Sequence, residues 1–200
     1  MPHKPPVYDR VASYYDRWMR PFERAGLARL RASALAEVPE GARLVEVGAG
    51  TGANFSYYPT AARAACAEPS REMIARARER PERPPGVAFV RAYAERLPFA
   101  DGAFDAGLAT LVFCSVSEPA RGLAELRRVV RAGGRVVLLE HVRPAGALGY
   151  VFDALNFVTV PLLEDHFNRR TTDAARGAGL AVERVENHLL GAVQLIVCRA

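Results

Sequence analysis

The pattern of apolar and polar positions divides the chain into alternating helix and strand signals. Val11, Tyr14, Tyr15 and Trp18 recur at helical spacing within residues 7–38, which predicts a helical arm with one apolar, phenol-tipped face. A second helix is expected over 22–37, carrying Leu27, Leu30 and Leu35 and stopping near Pro39-Glu40-Gly41. Short apolar runs then predict strands at 44–47, 61–67, 87–90, 106–110 and 136–139, the fourth continuously apolar because parallel strands are buried on both faces. Helices are expected between them. One starts after Gly52 and passes through Phe55, Tyr57 and Tyr58 to Pro59; another spans 71–80, with Ser70 as its N-cap. A third spans 119–131, turning Leu123, Leu126, Val129 and Val130 inward and ending on a glycine C-cap at Gly133-Gly134. Residues 144–168 are the least regular stretch, apolar and poor in charge. A helix then runs to Gly177, and 180–188 with 192–198 alternate as a closing antiparallel hairpin.

Strands that alternate with helices make an α/β protein with a mostly parallel sheet, helices on both faces and an antiparallel last strand. Seven strands in 200 residues suit one Rossmann-like, doubly wound domain. The chain has little room for a separate substrate domain, which counts against a dehydrogenase.

The most informative stretch is Leu44-Val45-Glu46-Val47-Gly48-Ala49-Gly50-Thr51-Gly52-Ala53-Asn54, a strand running into a glycine loop. Such a loop at a helix start cradles nucleotide-like ligands with backbone N–H groups. By spacing alone, Gly48, Gly50 and Ala53 also satisfy the dinucleotide fingerprint G-x-G-x-x-G/A. Glu46 argues otherwise, because its carboxylate would repel a pyrophosphate and attract a ligand that carries an ammonium and a sulfonium. Glu68 stands 20 residues beyond Gly48, at the end of the second predicted strand, where a carboxylate accepts hydrogen bonds from ribose hydroxyls.

Residues 46–52, E-V-G-A-G-T-G, resemble the E-x-G-x-G-T-G signature of class I S-adenosylmethionine-dependent methyltransferases. Two further stretches are similar to the ubiquinone/menaquinone methyltransferases and their relatives: Y-D-x-x-A-x-x-Y-D at 8–16 and A-E-R-L-P-F-A-D-G-A-F-D at 94–105. The second departs from the family pattern at Tyr93, where relatives carry an Asp for the adenine amino group; Glu95 or a backbone carbonyl must take that part. The block T-L-V-F-C-S-V followed by E-H-V resembles methyltransferases of phospholipid headgroups and small thiols.

The resemblance implies S-adenosylmethionine as cofactor and an N-terminal segment that closes over the site. The expected organisation is 1–40 as lid helices, 41–142 as cofactor-binding core and 143–200 as substrate segment and hairpin. Loop, strand ends and block together give the candidate cofactor contacts: Glu46, Gly48, Gly50, Gly52, Asn54, Glu68, Pro69, Met73, Ala94, Glu95 and Thr110. Tyr15 and His141 are the candidates to act on the acceptor, His141 because it follows the fifth strand at the carboxyl edge where ligands sit.

Composition adds boundaries rather than chemistry. Half of the residues are hydrophobic and 24% charged, which excludes bulk disorder. The net charge of +5 is spread without a like-charge run, so no nucleic-acid partner is expected, while anionic substrates or lipid headgroups fit. Cys66, Cys114 and Cys198 are far apart and odd in number, which suggests buried thiols in a reducing compartment. The first six residues lack a signal-peptide core and no window has the roughly 18 apolar residues of a membrane span, so a cytoplasmic protein with peripheral membrane contact is expected. No metal site is expected, and the oligomeric state stays open. An apolar wall at 150–163 beside Arg17, Arg20, Arg24, Arg143, Arg169 and Arg170 suits a small-molecule or lipid acceptor with an anionic head. A phospholipid amine of the phosphatidylethanolamine kind leads; a quinone precursor or small thiol is the alternative, and an NAD-dependent oxidoreductase or non-catalytic cofactor binder the more distant one.

Overall fold

The computed structural model describes residues 7–59, 61, 63–163 and 165–200. The proline-rich start at residues 1–6 lies outside them, as do the side chains of Val158, Leu162 and Leu163 in the expected apolar wall.

The strands are β1 (Arg43–Val47), β2 (Arg63–Ala67), β3 (Val87–Val90), β4 (Phe104–Thr110), β5 (Val130–His141), β6 (Ala181–His188) and β7 (Val193–Arg199). They form one seven-stranded sheet in the order β3-β2-β1-β4-β5-β7-β6. β1 to β5 pair in parallel, and β7 runs antiparallel to both of its neighbours. The helices are α1 (Tyr8–Phe22), α2 (Ala28–Ala36), α3 (Arg71–Glu79), α4 (Pro119–Val129), α5 (Ala147–Leu163) and α6 (Thr171–Gly177).

Because successive strand residues point to opposite faces, the apolar strands feed two cores. Leu44, Leu108, Val137 and Leu139 pack with Leu30, Ala34 and Leu35 of α2 on one face. Val45, Val47, Val136 and Leu138 pack with Leu123, Leu126 and Val129 of α4 on the other. Strand order reverses between β1 and β4, and the crevice outside the carboxyl ends of a doubly wound sheet opens at such a switch point.

Four local expectations are corrected. No α-helix follows the glycine loop: Phe55–Tyr57 makes a single 3-10 turn, because Phe55 and Tyr58 are drawn into the core and Pro59 soon follows. The second expected helix does not begin at Phe22; a π-turn at Glu23–Leu27, kinked at Gly26 (φ 130°), joins α1 to α2. Gly133-Gly134 does not cap α4, which ends at Val129, and the chain enters β5 directly at Val130, with a register shift opposite Phe104 and Ala106. The stretch 144–168 contains α5, a helix of 17 residues with Asp153 as its only charged residue.

Leu138 is fully buried and Phe157 is 84% exposed. Leu138→Ala should therefore cost about 2–5 kcal/mol in urea unfolding, whereas Phe157→Ser should change stability by no more than about 0.5 kcal/mol. Equal costs would mean that Phe157 is covered in solution.

Candidate active site

The loops that leave β1 to β4 enclose a cavity of about 430 Å³, roofed by α1. Of the sequence candidates, Tyr15, Gly48, Gly50, Glu68, Pro69, Met73, Ala94, Glu95 and Thr110 all line it. Glu46, Gly52, Asn54 and His141 do not.

The β1 loop is glycine-rich for two separate reasons. Gly48 and Gly50 both have positive φ, 68° and 54°, the left-handed region that glycine adopts without cost. A Cβ on Gly48 would come within 2.4 Å of Val112, whereas one on Gly50 would meet no protein atom within 4 Å. Gly48 is thus demanded by the neighbouring loop, and Gly50 leaves its space to the cavity.

Glu68 ties that loop in place. One carboxylate oxygen accepts from the Gly50 N–H (3.0 Å) and the other from the Ser70 N–H (2.9 Å). Burial pushes its pKa up to about 7, against the pull of these two donors. Each oxygen keeps a lone pair for a further donor. Ser70 also caps α3, accepting from the Met73 N–H at 3.1 Å, and so sets Met73 against the cavity.

Opposite, β4 ends in a turn that the sequence did not announce. Leu111 takes positive φ (57°), an uncommon conformation for a leucine. It turns the chain so that the Val112 and Phe113 N–H groups both donate to the Glu140 carboxylate at 3.1–3.2 Å. Glu140 is fully buried, and burial raises its pKa to about 8. Leu111 and Val112 line the cavity; the signal that could have revealed them is the acid following the apolar fifth strand.

The roof follows from a seven-residue repeat. In Tyr8-Asp9-x-x-Ala12-x-x-Tyr15-Asp16 equivalent positions lie on one helix face two turns apart. Tyr8 and Tyr15 line the cavity and Ala12 is buried. This corrects the expected stripe: Tyr14 is 70% and Trp18 49% exposed, so the inward face is shifted from Val11, Tyr14, Tyr15 and Trp18. Both aspartates latch the helix to the core. Asp9 accepts from the Ser70 hydroxyl (2.5 Å), and Asp16 from the Thr51 hydroxyl (2.6 Å) and Arg80 (2.7 Å). Tyr8 is hydrogen-bonded to Ser115 at 2.7 Å. Burial holds both tyrosines as neutral phenols.

Glu46 lies behind the loop rather than against the cavity. Its carboxylate accepts from Asn54 Nδ2 (2.5 Å) and from the Tyr58 hydroxyl. Asn54 in turn accepts from Arg31, whose Nη1 also donates to Thr110 (2.9 Å each). Arg31 is 4% exposed and was not anticipated, since one arginine among many carries no sequence signal. His141 is likewise off the cavity, stacked on Phe167 with ring centroids 4.9 Å apart. Strand pairing extends through His141 to Val193, which keeps it inside the fold. Burial lowers its pKa to about 4 and its Nδ1 has no hydrogen-bond partner.

A cavity of this size falls in the range of small-molecule sites. With a glycine face open toward it and a buried carboxylate at its rim, it fits a nucleoside ligand. Comparison with known proteins agrees. Residues 45–138 match a methyltransferase domain family. A phosphatidylethanolamine N-methyltransferase of Cereibacter sphaeroides is 34% identical over 74% of this chain and 76% of its own length. Thiol S-methyltransferase TMT1B of Homo sapiens is 37% identical over 54% of this chain, which spans about half, 47%, of that relative. A solved SAM-dependent methyltransferase of Thermotoga maritima superposes with a TM-score of 0.76 at 27% identity, covering 96% of this chain and 98% of that one.

The two latches make a structural prediction. Asp9→Ala with Asp16→Ala should speed amide exchange in Tyr8–Phe22 while leaving β1, β4 and β5 protected. Unchanged exchange in α1 would mean that packing alone seats it.

Proposed function

The chain belongs to the S-adenosylmethionine-dependent methyltransferases, and within that family we propose that it methylates the amine of a phosphatidylethanolamine-like phospholipid. The cofactor supplies a methyl group already activated on a sulfonium, so the protein's work is to bind and align. That contribution reaches about 7–11 kcal/mol in well-oriented systems.

In this reading Glu68 takes the ribose hydroxyls on the lone pairs left by Gly50 and Ser70. Gly48 and Gly50 admit the ligand to the backbone, and Pro69, Met73, Ala94, Glu95 and Thr110 complete the cofactor side. Glu46, Gly52 and Asn54 act from behind: the Glu46–Asn54–Arg31–Thr110 chain fixes the orientation of Thr110, and Gly52 makes room for the Phe55 ring. Tyr15, with Tyr8, faces the acceptor as a neutral phenol that donates or accepts one hydrogen bond. His141 does not line the cavity and is given no direct part in the transfer.

The observation that carries the acceptor assignment is the apolar surface that two helices leave exposed. α1 roofs the cavity and turns Tyr14, Trp18 and Phe22 outward among the exposed Arg10, Arg17 and Arg20. α5, which follows the end of β5, exposes Tyr150, Val151, Leu155 and Phe157. Aromatic and aliphatic side chains rimmed by guanidinium groups suit a lipid surface with anionic heads. Among the described residues no helix is long and apolar enough to cross a membrane, so the contact proposed is peripheral. A small water-soluble thiol would need no such surface, and a prenylated quinone precursor would use its apolar part but not its guanidinium rim.

Two outcomes are expected. S-adenosylhomocysteine should bind and NAD should not, with Glu68→Ala weakening binding by about 1–3 kcal/mol in calorimetry. The acceptor form of Glu68 is the ionised one, so a ligand that bonds it lowers its pKa and releases a proton. Affinity should therefore rise about tenfold from pH 6 to pH 8 in the wild type and stay flat in Glu68→Gln. Equal affinity of wild type and Ala variant would remove Glu68 from the site.

For the acceptor, labelled methyl should enter vesicles of phosphatidylethanolamine with phosphatidylglycerol, and Trp18→Ser with Phe157→Ser should lower that rate at least fivefold without changing S-adenosylhomocysteine affinity. Methylation of a water-soluble thiol or a quinone precursor, with no vesicle binding at low salt, would overturn the lipid assignment.

A further inference from the structure

A second pocket, of about 320 Å³, shares no lining residue with the first. Arg143, Arg169, Arg170 and Arg176 line it, and Asp173 is its one carboxylate. Four guanidinium groups around a single acid leave the pocket strongly positive, and the hydrogen bonds show which cations lack compensation.

Arg143 is committed to Asp153 of α5, bonding both carboxylate oxygens at 2.8–3.1 Å. Arg176 reaches Asp173 only at 3.4 Å. Arg169 donates from Nη2 to the Val116 carbonyl (2.8 Å), but its Nε is buried with no acceptor. The Arg170 guanidinium has no hydrogen-bond or ion-pair partner among the described residues. An unsatisfied buried donor on a cation is costly, and burial also lowers the Arg169 pKa. With four guanidinium groups and one carboxylate in its lining, the pocket is short of negative charge.

We propose that this arginine pocket is a binding site for a phosphate group, distinct from the methyl-transfer cavity. Guanidinium forks match the oxygens of phosphate bidentately, and Arg169, Arg170 and Arg176 in one lining favour a multiply charged oxyanion over a single carboxylate. A phosphate ion occupies only part of the volume, so the rest accepts an ester substituent. The group comes from a phospholipid head or from a soluble phosphoester. The pocket touches both settings, because Arg143 stacks over the ring of Tyr150 on apolar α5 (5.5 Å) and Arg169 holds Val116, which lines the first cavity. The site is defined by its own geometry and stands whichever acceptor the enzyme methylates.

The test is titration of the ¹⁵N-labelled full chain with inorganic phosphate, against sodium chloride at matched ionic strength. The expected result is a saturable shift confined to residues 142–143, 169–176, 185 and 194. Affinity should fall at least fivefold in Arg170→Gln, a change at an exposed residue that cannot unfold the protein, and further with Arg176→Gln added. Absence of a saturable shift, or phosphate affinity unchanged in both variants, overturns the proposal. S-adenosylhomocysteine affinity, measured on the same samples, should not move in either variant, which separates this site from the methyl-transfer reading. Cosedimentation with phosphatidylglycerol against phosphatidylcholine vesicles then assigns the source. Loss of anionic-vesicle binding in Arg170→Gln supports a lipid head, and phosphate binding with undiminished vesicle binding supports a soluble phosphoester.

Discussion

A carboxylate taken out of water must be given hydrogen-bond donors, and three such carboxylates shape the carboxyl edge of this sheet. Glu46 and Glu140 are fully buried and Glu68 is 6% exposed. Two are satisfied by the loop of an adjacent strand: Glu68 after β2 holds the β1 loop through Gly50, and Glu140 at the end of β5 holds the β4 loop through Val112 and Phe113. Glu46 holds Asn54 and Tyr58 on the way out of the same β1 loop. The loops that form the cavity are thus pinned by acids from adjacent strands. Parallel pairing decides which loop each acid reaches, because it brings all the carboxyl ends to one edge.

This pinning explains how a cavity of about 430 Å³ is held open between loops with little regular structure of their own. Val112 is both a donor to Glu140 and the neighbour that forbids a Cβ on Gly48, so the loops of β1 and β4 are fitted to one another through a single residue. The positive φ of Leu111 belongs to the same arrangement. Strain of roughly 1–3 kcal/mol at such a residue persists only where the surroundings over-determine it, and here two backbone bonds to a buried carboxylate do so.

The strands and their order of appearance were legible because apolar runs bounded by glycine and proline are a local signal, and the glycine loop was legible because its chemistry is written in consecutive residues. What sequence missed depends on distant partners. Arg31 earns its place from Asn54 and Thr110, which are 23 and 79 positions away, and nothing near it in the chain marks it. His141 was read correctly to the end of β5 but wrongly as facing the crevice, since pairing with Val193 and stacking on Phe167 are long-range facts. The helix expected after Gly52 failed for a different reason: Phe55 and Tyr58, within four positions, both pack into the core, and the chain makes a single 3-10 turn between them. In α1 the period was right and the phase wrong, because Tyr14 and Trp18 are as apolar as the residues that turned inward. Asp9 and Asp16, with their partners at α3 and the glycine loop, and Tyr8 with Ser115 fix which side faces the sheet.

That phase has a consequence for the outer surface. A helix latched to the core through Asp9 and Asp16, with Tyr8 and Tyr15 turned inward, is left with Tyr14, Trp18 and Phe22 among the arginines on its outer side. α5 has the same character, with one charged residue in 17 and exposed Tyr150 and Phe157. Exposed apolar area of this kind is a liability in water and is retained where it has a partner. Both helices belong to the carboxyl side of the sheet, one as the roof of the cavity and the other as the continuation of β5, and the arginine pocket sits at the foot of α5. On the proposed reading, this distribution of apolar and cationic groups would set a direction for the molecule, the face that holds the cavity being the one turned toward an amphipathic acceptor.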